Sequence, residues 1–350
     1  MALVYTSCGG NPSTYYLSQP FTEVKDVNIQ KKSLSRIVKG GENYNALHIV
    51  VRDGKCVLYT PKGYKSFFSV MDINTGDHLG EFGIKGNGPM ESPVFDIIHN
   101  LDSKNGDIVV PIQDFAKKRS LLCNVTKTLE NNMPVYDTIV SCNWVDDFGR
   151  FPVFYSDIDD DRMFVVLDTT PIENLGRVIT PKFGVISRSE KKFLSTHRVF
   201  RDSVEVFGFN ERWNPYMPFS CKCAINQSKT KVAIGMTYLP QINILDVESG
   251  DVKCFRIENS PEERLTKSIV YYGSIQCDDK LIYALYQNLN SNMSSPDDYH
   301  KYQSELHIFN WNGELIEKWK LDRFYNSISV DDGEIYGFRT YDGTIDEYLL

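Results

Sequence analysis

The acidic run "DIDDDRMFVVLD" holds the carboxylates best spaced for chemistry, with Asp157, Asp159 and Asp161 at alternate positions and Asp168 at the twelfth. That spacing could wrap a calcium ion. Arg162, however, stands where such a loop needs Gly for its sharp turn, and "MFVVL" is a strand signal where ligands should still be closing. The run therefore reads as a solvated hairpin turn, and no metal is expected there. A second candidate is "GIKGNGPMES", Gly83 to Ser92, whose Gly86 and Gly88 could offer backbone N–H groups to an anion. It lacks the Lys-Ser/Thr of a phosphate loop, and no GxGxxG leads from a strand into a helix. A turn between sheets is the simpler reading, with Glu91 capping or pairing inside it.

Hydrolytic chemistry finds little support: no HExxH and no G-x-S-x-G occurs, and His48, His78, His99, His197, His300 and His307 are scattered, mostly in or beside strands. A lone strand His is more often packed and hydrogen-bonded than catalytic. Recognition has a better candidate in "FGFNERWNPYMPF", Phe207 to Phe219, which crowds aromatics around Arg212, Trp213 and Tyr216 in an irregular connection. Trp, Tyr and Arg dominate binding hot spots because they bury much area while keeping a polar contact. These three are the expected binding residues; the competing reading is that the segment covers a sheet.

Net charge is −8 over 350 residues, so the even Lys/Arg field that would neutralise a phosphate backbone is missing and nucleic acid is not an expected partner. The densest basic stretch, "RSEKKFLSTHRVFR" from Arg188 to Arg201, reads as a solvated insertion. No apolar run approaches the ~18 residues that span a bilayer. Near the N-terminus, "MALVYTSCGGN" sets small residues before Cys8 and two glycines after it, the pattern of a lipoprotein cleavage and acylation site, although the preceding seven residues are too short for a full signal segment. Cys8 is the expected lipidation site. The other seven cysteines are odd in number and form no CxxC pair, so neither a disulfide framework nor a zinc site is expected.

These residues need elements to hold them, and the sequence points to antiparallel sheets. "SVMDINTGDHLGEF", "NILDVESGDVKCFRI" and "HIFNWNGELIEKWKLD" share one grammar: apolar residues, Asp or Asn, a short gap, Gly with an acid, then a second apolar run. Each is a β-hairpin, because Gly without a Cβ permits the positive φ of a tight turn. The spacing of Asp72, Asp246 and Asn310 divides into units of roughly 58–64 residues, long for propeller blades, whose tightest examples run to ~45. Clean four-strand sets lie around 46–84, 219–257 and 269–321, and a three-strand set ends the chain. A second set runs from "FDIIHNL" to an edge near Leu129, and "DTIVSCNW", "FPVFY" and "MFVVLD" begin a third. The missing strand of the last set is expected from the N-terminal "FTEVKDVNI", with Thr22–Ile29 beside Ile345–Leu349, which would close the ring and remove an exposed edge. The expected fold class is all-β, a six-bladed β-propeller spanning 21–350 as one domain behind a 1–20 tail.

"GIKGNGPMES", together with "LIYALYQN" and "LHIFNWNGELIEKWKLD", resembles motifs of bacterial six-bladed, TolB-like propellers, over about Thr22 to Leu350. Asn310, Asn312 and Met90 depart from the residues common in that family. The resemblance implies a predicted lipoprotein without an assigned biochemical role, in agreement with the reading of Cys8. The functional expectation is a non-enzymatic binding propeller without cofactor, monomeric, exported and lipid-anchored in the periplasm or outer membrane. Its partner would be an envelope protein, a peptide or a glycan. The alternative is a metal-dependent propeller hydrolase of the lactonase or esterase kind, whose acids would come from different blades.

Overall fold

The computed structural model describes residues 16–38, 46–63, 65–95, 101–114, 116–141, 152–168, 170–172, 177–205, 219–258, 269–290, 299 and 301–350. Six antiparallel sheets follow one another along the chain as the blades of a β-propeller. Blade 1 covers His48–Ile84, blade 2 Asp102–Ser141, blade 3 Pro152–His197, blade 4 Cys221–Ile257, blade 5 Ile269–Lys320 and blade 6 Ser327–Leu349. Blade 3 carries a small three-stranded sheet, formed by Thr170–Ile172, Arg177–Ile179 and Ser203–Glu205.

The repeated hairpin grammar acquires a mechanism here. Asp72 accepts the backbone N–H groups of Asn74 and Thr75, Asp246 those of Glu248 and Ser249, and Asn310 those of Asn312 and Glu314. Each side chain supplies the acceptors that a tight turn leaves missing, and Gly76, Gly250 and Gly313 follow at positive φ. These bonds favour the ionised form. They hold Asp72 and Asp246 below the usual carboxylate range, the Thr75 and Ser249 amides contributing most.

Large apolar residues fill the space between neighbouring blades. Phe68, Phe82 and Phe95 join blade 1 to blade 2, Phe183 and Ile234 belong to the core of blades 3 and 4, and Trp319 and Tyr348 to that of blades 5 and 6. Each such side chain contributes roughly 1.5–3 kcal/mol when fully buried. Among the described residues every adjacent pair of blades shares an apolar cluster except blades 2 and 3.

The N-terminal segment straps the rim. Strand β1 (Phe21–Val24) runs parallel to the outer strand of blade 4, β2 (Ile29–Lys31) parallel to that of blade 5, and β3 (Arg36–Val38) antiparallel to Thr344–Leu349, as the fourth strand of blade 6. Ahead of β1, Leu17 bridges to Phe200, and the buried Tyr16 ring packs against Phe200 and Phe219. Arg256 fixes the strap to blade 4. Its guanidinium lies 4.0 Å over the Phe21 ring and donates to the Tyr16 hydroxyl at 2.7 Å and to Gln241 at 2.6 and 2.9 Å.

The ring is thus closed by an N-terminal strand, but not by the expected one. Thr22–Val24 pairs on blade 4, while the closing partner of Ile345–Glu347 is Arg36–Val38. Blade 2 differs too. Its innermost strand is the short Asp102–Lys104, its outer strand is Tyr136–Ser141, and the region near Leu129 is a helix, α1 (Val125–Asn131), with Asn124 as N-cap and Asn132 in the left-handed region at its end. The basic stretch from Arg188 is a hairpin turn followed by the outer strand Lys192–His197 of blade 3.

Candidate functional site

Charged residues from the inner strands of the blades and from the turns that join strands gather around the propeller axis on one face. Arg52 ends the innermost strand of blade 1; its Nη1 lies 3.5 Å from Asp331 of blade 6, and its Nη2 reaches the Leu101 carbonyl at the entry to blade 2. Lys229, in the first turn of blade 4, lies 3.5 Å from Asp102 of blade 2, and the Ser228 N–H donates to Asp279 of blade 5. Asp157 ends the innermost strand of blade 3 and is paired with Arg188, from the last turn of the same blade. Burial lifts the Asp157 carboxyl above its ordinary value, with Arg188 and Lys229 opposing the shift and Asp102 adding to it. Asp331 is lifted likewise by burial and opposed by Arg52.

Below this mouth, the missing apolar cluster between blades 2 and 3 gives way to a cavity of about 530 Å³. Val109, Pro111, Leu121 and Leu122 form its blade 2 wall, Ile158 and Arg188 come from blade 3, and Arg52, Asp102, Asp157 and Lys229 stand at its charged end. Two of its donors are unspent. The Nε atoms of Arg52 and Arg188 are buried without a hydrogen-bond partner among the described residues. An unmade buried hydrogen bond costs roughly 1–3 kcal/mol, so an acceptor brought in by a ligand would recover it. The volume falls within the ~300–1,000 Å³ of pockets that enclose a small molecule or a few side chains.

The acidic turn is a hairpin, as its sequence indicates. Asp159 accepts from the Asp161 and Arg162 amides, and Asp161 accepts from the Ser187 hydroxyl and the Ser189 amide. These bonds, the Arg162 amide first for Asp159 and the Ser189 amide first for Asp161, hold both carboxyls below their ordinary range. Among the described residues no three His, Cys, Asp or Glu side chains converge on a point where a metal could sit. The glycine loop is a clasp between blades 1 and 2. Glu91 accepts the Gly88 N–H at 2.8 Å, and Arg119 donates to the Glu91 carbonyl at 3.0 Å while paired at 2.8 Å with the buried Asp114. A Cβ on Gly86, where φ is +153°, would lie 2.1 Å from the Glu91 carboxylate. His307 is a core residue, stacked at 4.4 Å on Tyr286 and within 3.2 Å of both Glu305 and Tyr272. Its burial holds the imidazole below its usual range.

The sequence-predicted site residues Cys8, Arg212, Trp213 and Tyr216 lie outside the described residues, as do His99 and His300. The cleft residues Arg52, Asp102, Arg188 and Lys229 were not legible beforehand. Each sits at a strand end or in a hairpin turn of a different stretch, and only ring closure brings them together. The one local signal was Asp157, noticed for its neighbours in the acidic run and not for its partner Arg188.

Fold and site together define a six-bladed β-propeller with a charged axial mouth and, among the described residues, a cavity between blades 2 and 3. No family model and no curated protein matches the chain. Among solved structures it is similar to a member of the DUF4221 family from Bacteroides vulgatus, with a TM-score of 0.55 and 11% identity over 95% of this chain and 96% of that one. It is also similar to a candidate exported protein of Bacteroides fragilis, with a TM-score of 0.50 and 11% identity over 94% and 98% of the two chains. At such identity the likeness is one of fold.

Proposed function

We propose that the protein is a non-enzymatic binding propeller of the TolB-like kind, lipid-anchored through Cys8 in a bacterial envelope, whose seam between blades 2 and 3 takes a segment of a protein or peptide partner. One observation supports this most: an apolar wall beside two buried guanidinium N–H donors that nothing in the described chain satisfies. An inserted aliphatic side chain would cover Leu122 and Pro111, while a neighbouring carbonyl or carboxylate of the partner accepted from Arg188 or Arg52. The acids of the mouth are already matched with cations, an arrangement suited to holding a ligand in register more than to moving a proton. Arg212, Trp213 and Tyr216, on the segment between blades 3 and 4, are proposed as further anchors for the same partner.

The test is a photo-crosslinking amino acid at Thr138, on the cleft wall. Whole cells should give one discrete adduct, lost in both Leu122→Asp and Arg188→Gln. No adduct, or one indifferent to both changes, removes the reading. The anchor is tested separately: protein expressed from its genomic locus should incorporate labelled fatty acid, and Cys8→Ala should abolish the label. An unlabelled parent protein removes that part.

A further inference from the structure

Two thiols meet on blade 4. Cys221 and Cys223 stand two places apart on its innermost strand, Cys221–Ile225, and so leave the same face of the sheet, with their Sγ atoms 3.8 Å apart. Cys221 is at the end of that strand away from the Lys229 turn, so the pair sits toward the face opposite the charged mouth. The next strand, Lys231–Met236, returns antiparallel and sets Met236 directly across from Cys221. Facing residues of an antiparallel pair share a face, with Cβ atoms about 4.5–5.5 Å apart. All three sulfur side chains therefore lie on the surface that blade 4 turns to blade 3. Cys223 and Met236 are members of the apolar cluster there, and Cys221 packs against it.

The three differ in access. Cys223 and Met236 are buried, whereas Cys221 is partly exposed, and both thiols are free. Burial lifts the Cys223 thiol well above its usual range, and the charge of the adjacent Lys222 opposes the shift. The sulfur spacing carries the geometry. With metal–thiolate bonds of ~2.3 Å, a linear ion would hold its two sulfurs about 4.6 Å apart. At 3.8 Å the ion must stand off the line between them, subtending an angle of roughly 110°. That bend leaves room for a third ligand. Met236, with its flexible and polarizable thioether, is the donor that the strand register supplies.

We infer that Cys221, Cys223 and Met236 form a binding site for a soft monovalent metal ion, copper(I). Thiolate and thioether donors select copper(I), whereas a structural zinc ion takes four ligands from thiolate, imidazole and carboxylate. Among the described residues no three His, Cys, Asp or Glu side chains converge, so zinc would lack the rest of its shell. Each thiol releases one proton to solvent as the ion binds, and copper enters and stays as copper(I). The two thiolates leave the complex with a net negative charge, which the ammonium of Lys222 offsets. Cys221 is the sulfur that an arriving ion meets first. The ligands all belong to blade 4, so the site holds or fails independently of the seam between blades 2 and 3.

The experiment titrates the full chain, reduced and kept under argon, with copper(I) in competition with the chelator bicinchoninate. One ion should be retained per chain, and X-ray absorption should show three sulfur neighbours and no nitrogen or oxygen. Zinc(II) at equal concentration should not displace it. Cys221→Ser and Cys223→Ala should each weaken retention at least a hundredfold. Met236→Leu, which keeps the volume of the side chain, should weaken it at least fivefold and leave two sulfurs in the spectrum. Thermal unfolding identifies the variants that remain folded, and Cys221→Ser and Met236→Leu alter the core least. The inference is overturned if the chelator strips the parent of copper, if zinc binds as tightly, or if folded Cys221→Ser or Met236→Leu retains copper like the parent.

Discussion

Replacing Tyr16 by Phe isolates a single bond that holds the strap to blade 4. The ring remains to pack against Phe200 and Phe219, but the hydroxyl that accepts from Arg256 at 2.7 Å is gone. Arg256 is only 6% exposed, so its Nη2 proton cannot turn to water. A hydrogen bond to a charged group is worth about 1.5–3 kcal/mol, and leaving the donor buried forfeits all of it. The loss falls on the state in which residues 16–24 are docked, so the population with the strap detached should rise about ten- to a hundredfold. Limited trypsin digestion reads that population directly, through cleavage after Lys25 and Lys31, provided that opening and closing are fast relative to cutting. Cleavage there should accelerate by this factor while sites within blades 1 to 3 keep their parent rates. An acceleration below twofold would refute the argument, because Arg256 would then have found another acceptor or the strap would not open as a unit.

Two further outcomes follow from the hairpins. Gly313→Ala places a Cβ 2.2 Å from the Phe255 ring at φ +88°, and should cost about 2–3 kcal/mol in urea unfolding; an unchanged midpoint would mean that the blade 4–blade 5 contact is looser than its geometry. The Asp72, Asp159 and Asp246 carboxyls all titrate lower in the folded chain than their ordinary 3.8, so the unfolded chain binds more protons in acid. The stability they contribute is present above that value and is lost as pH falls through their folded pKa values. Asp246→Asn keeps an acceptor for Ser249 but lacks the charge and cannot titrate, so in urea unfolding it should be less stable than the parent near neutrality and decline less below about pH 4, the gap between the two closing in acid.

Turn chemistry was the most legible part of the chain because it is local. Asp72, Asp246 and Asn310 announce their hairpins through residues two to four places away, and blades 1, 4 and 5 followed from them. In blade 2 the described innermost strand, Asp102–Lys104, is short and polar, and most of "FDIIHNL" just before it lies outside the described residues. The seven-residue helix Val125–Asn131 is too brief to show a 3.6-residue period, although the asparagines at either end were signals of its caps. The closing strand failed differently. Phe21–Val24 reads correctly as extended, but a strand's own residues do not say which sheet edge it joins, and Arg36–Val38 is only three residues long. The candidate site was least legible of all. Arg52, Asp102, Asp157 and Lys229 belong to four blades, and no spacing along the chain encodes their meeting.

The strap also sets a timetable for synthesis. Val24 pairs with Ile257 and Val38 with Ile345, so the strands of the strap must wait for partners made far later in the chain. Val38 emerges about 300 residues ahead of its partner, a delay on the order of 15–60 s at the usual ~5–20 residues per second. Throughout that interval the strap is an unpaired edge among growing sheets, at risk of joining the wrong one. Glu23, Lys25, Asp26, Lys31 and Lys32 punctuate it with charges of both signs, the device by which strand edges resist premature pairing. Blades 1 to 3 can therefore stack as they are made, while the nascent chain keeps its first strands soluble until blades 4 to 6 arrive to receive them.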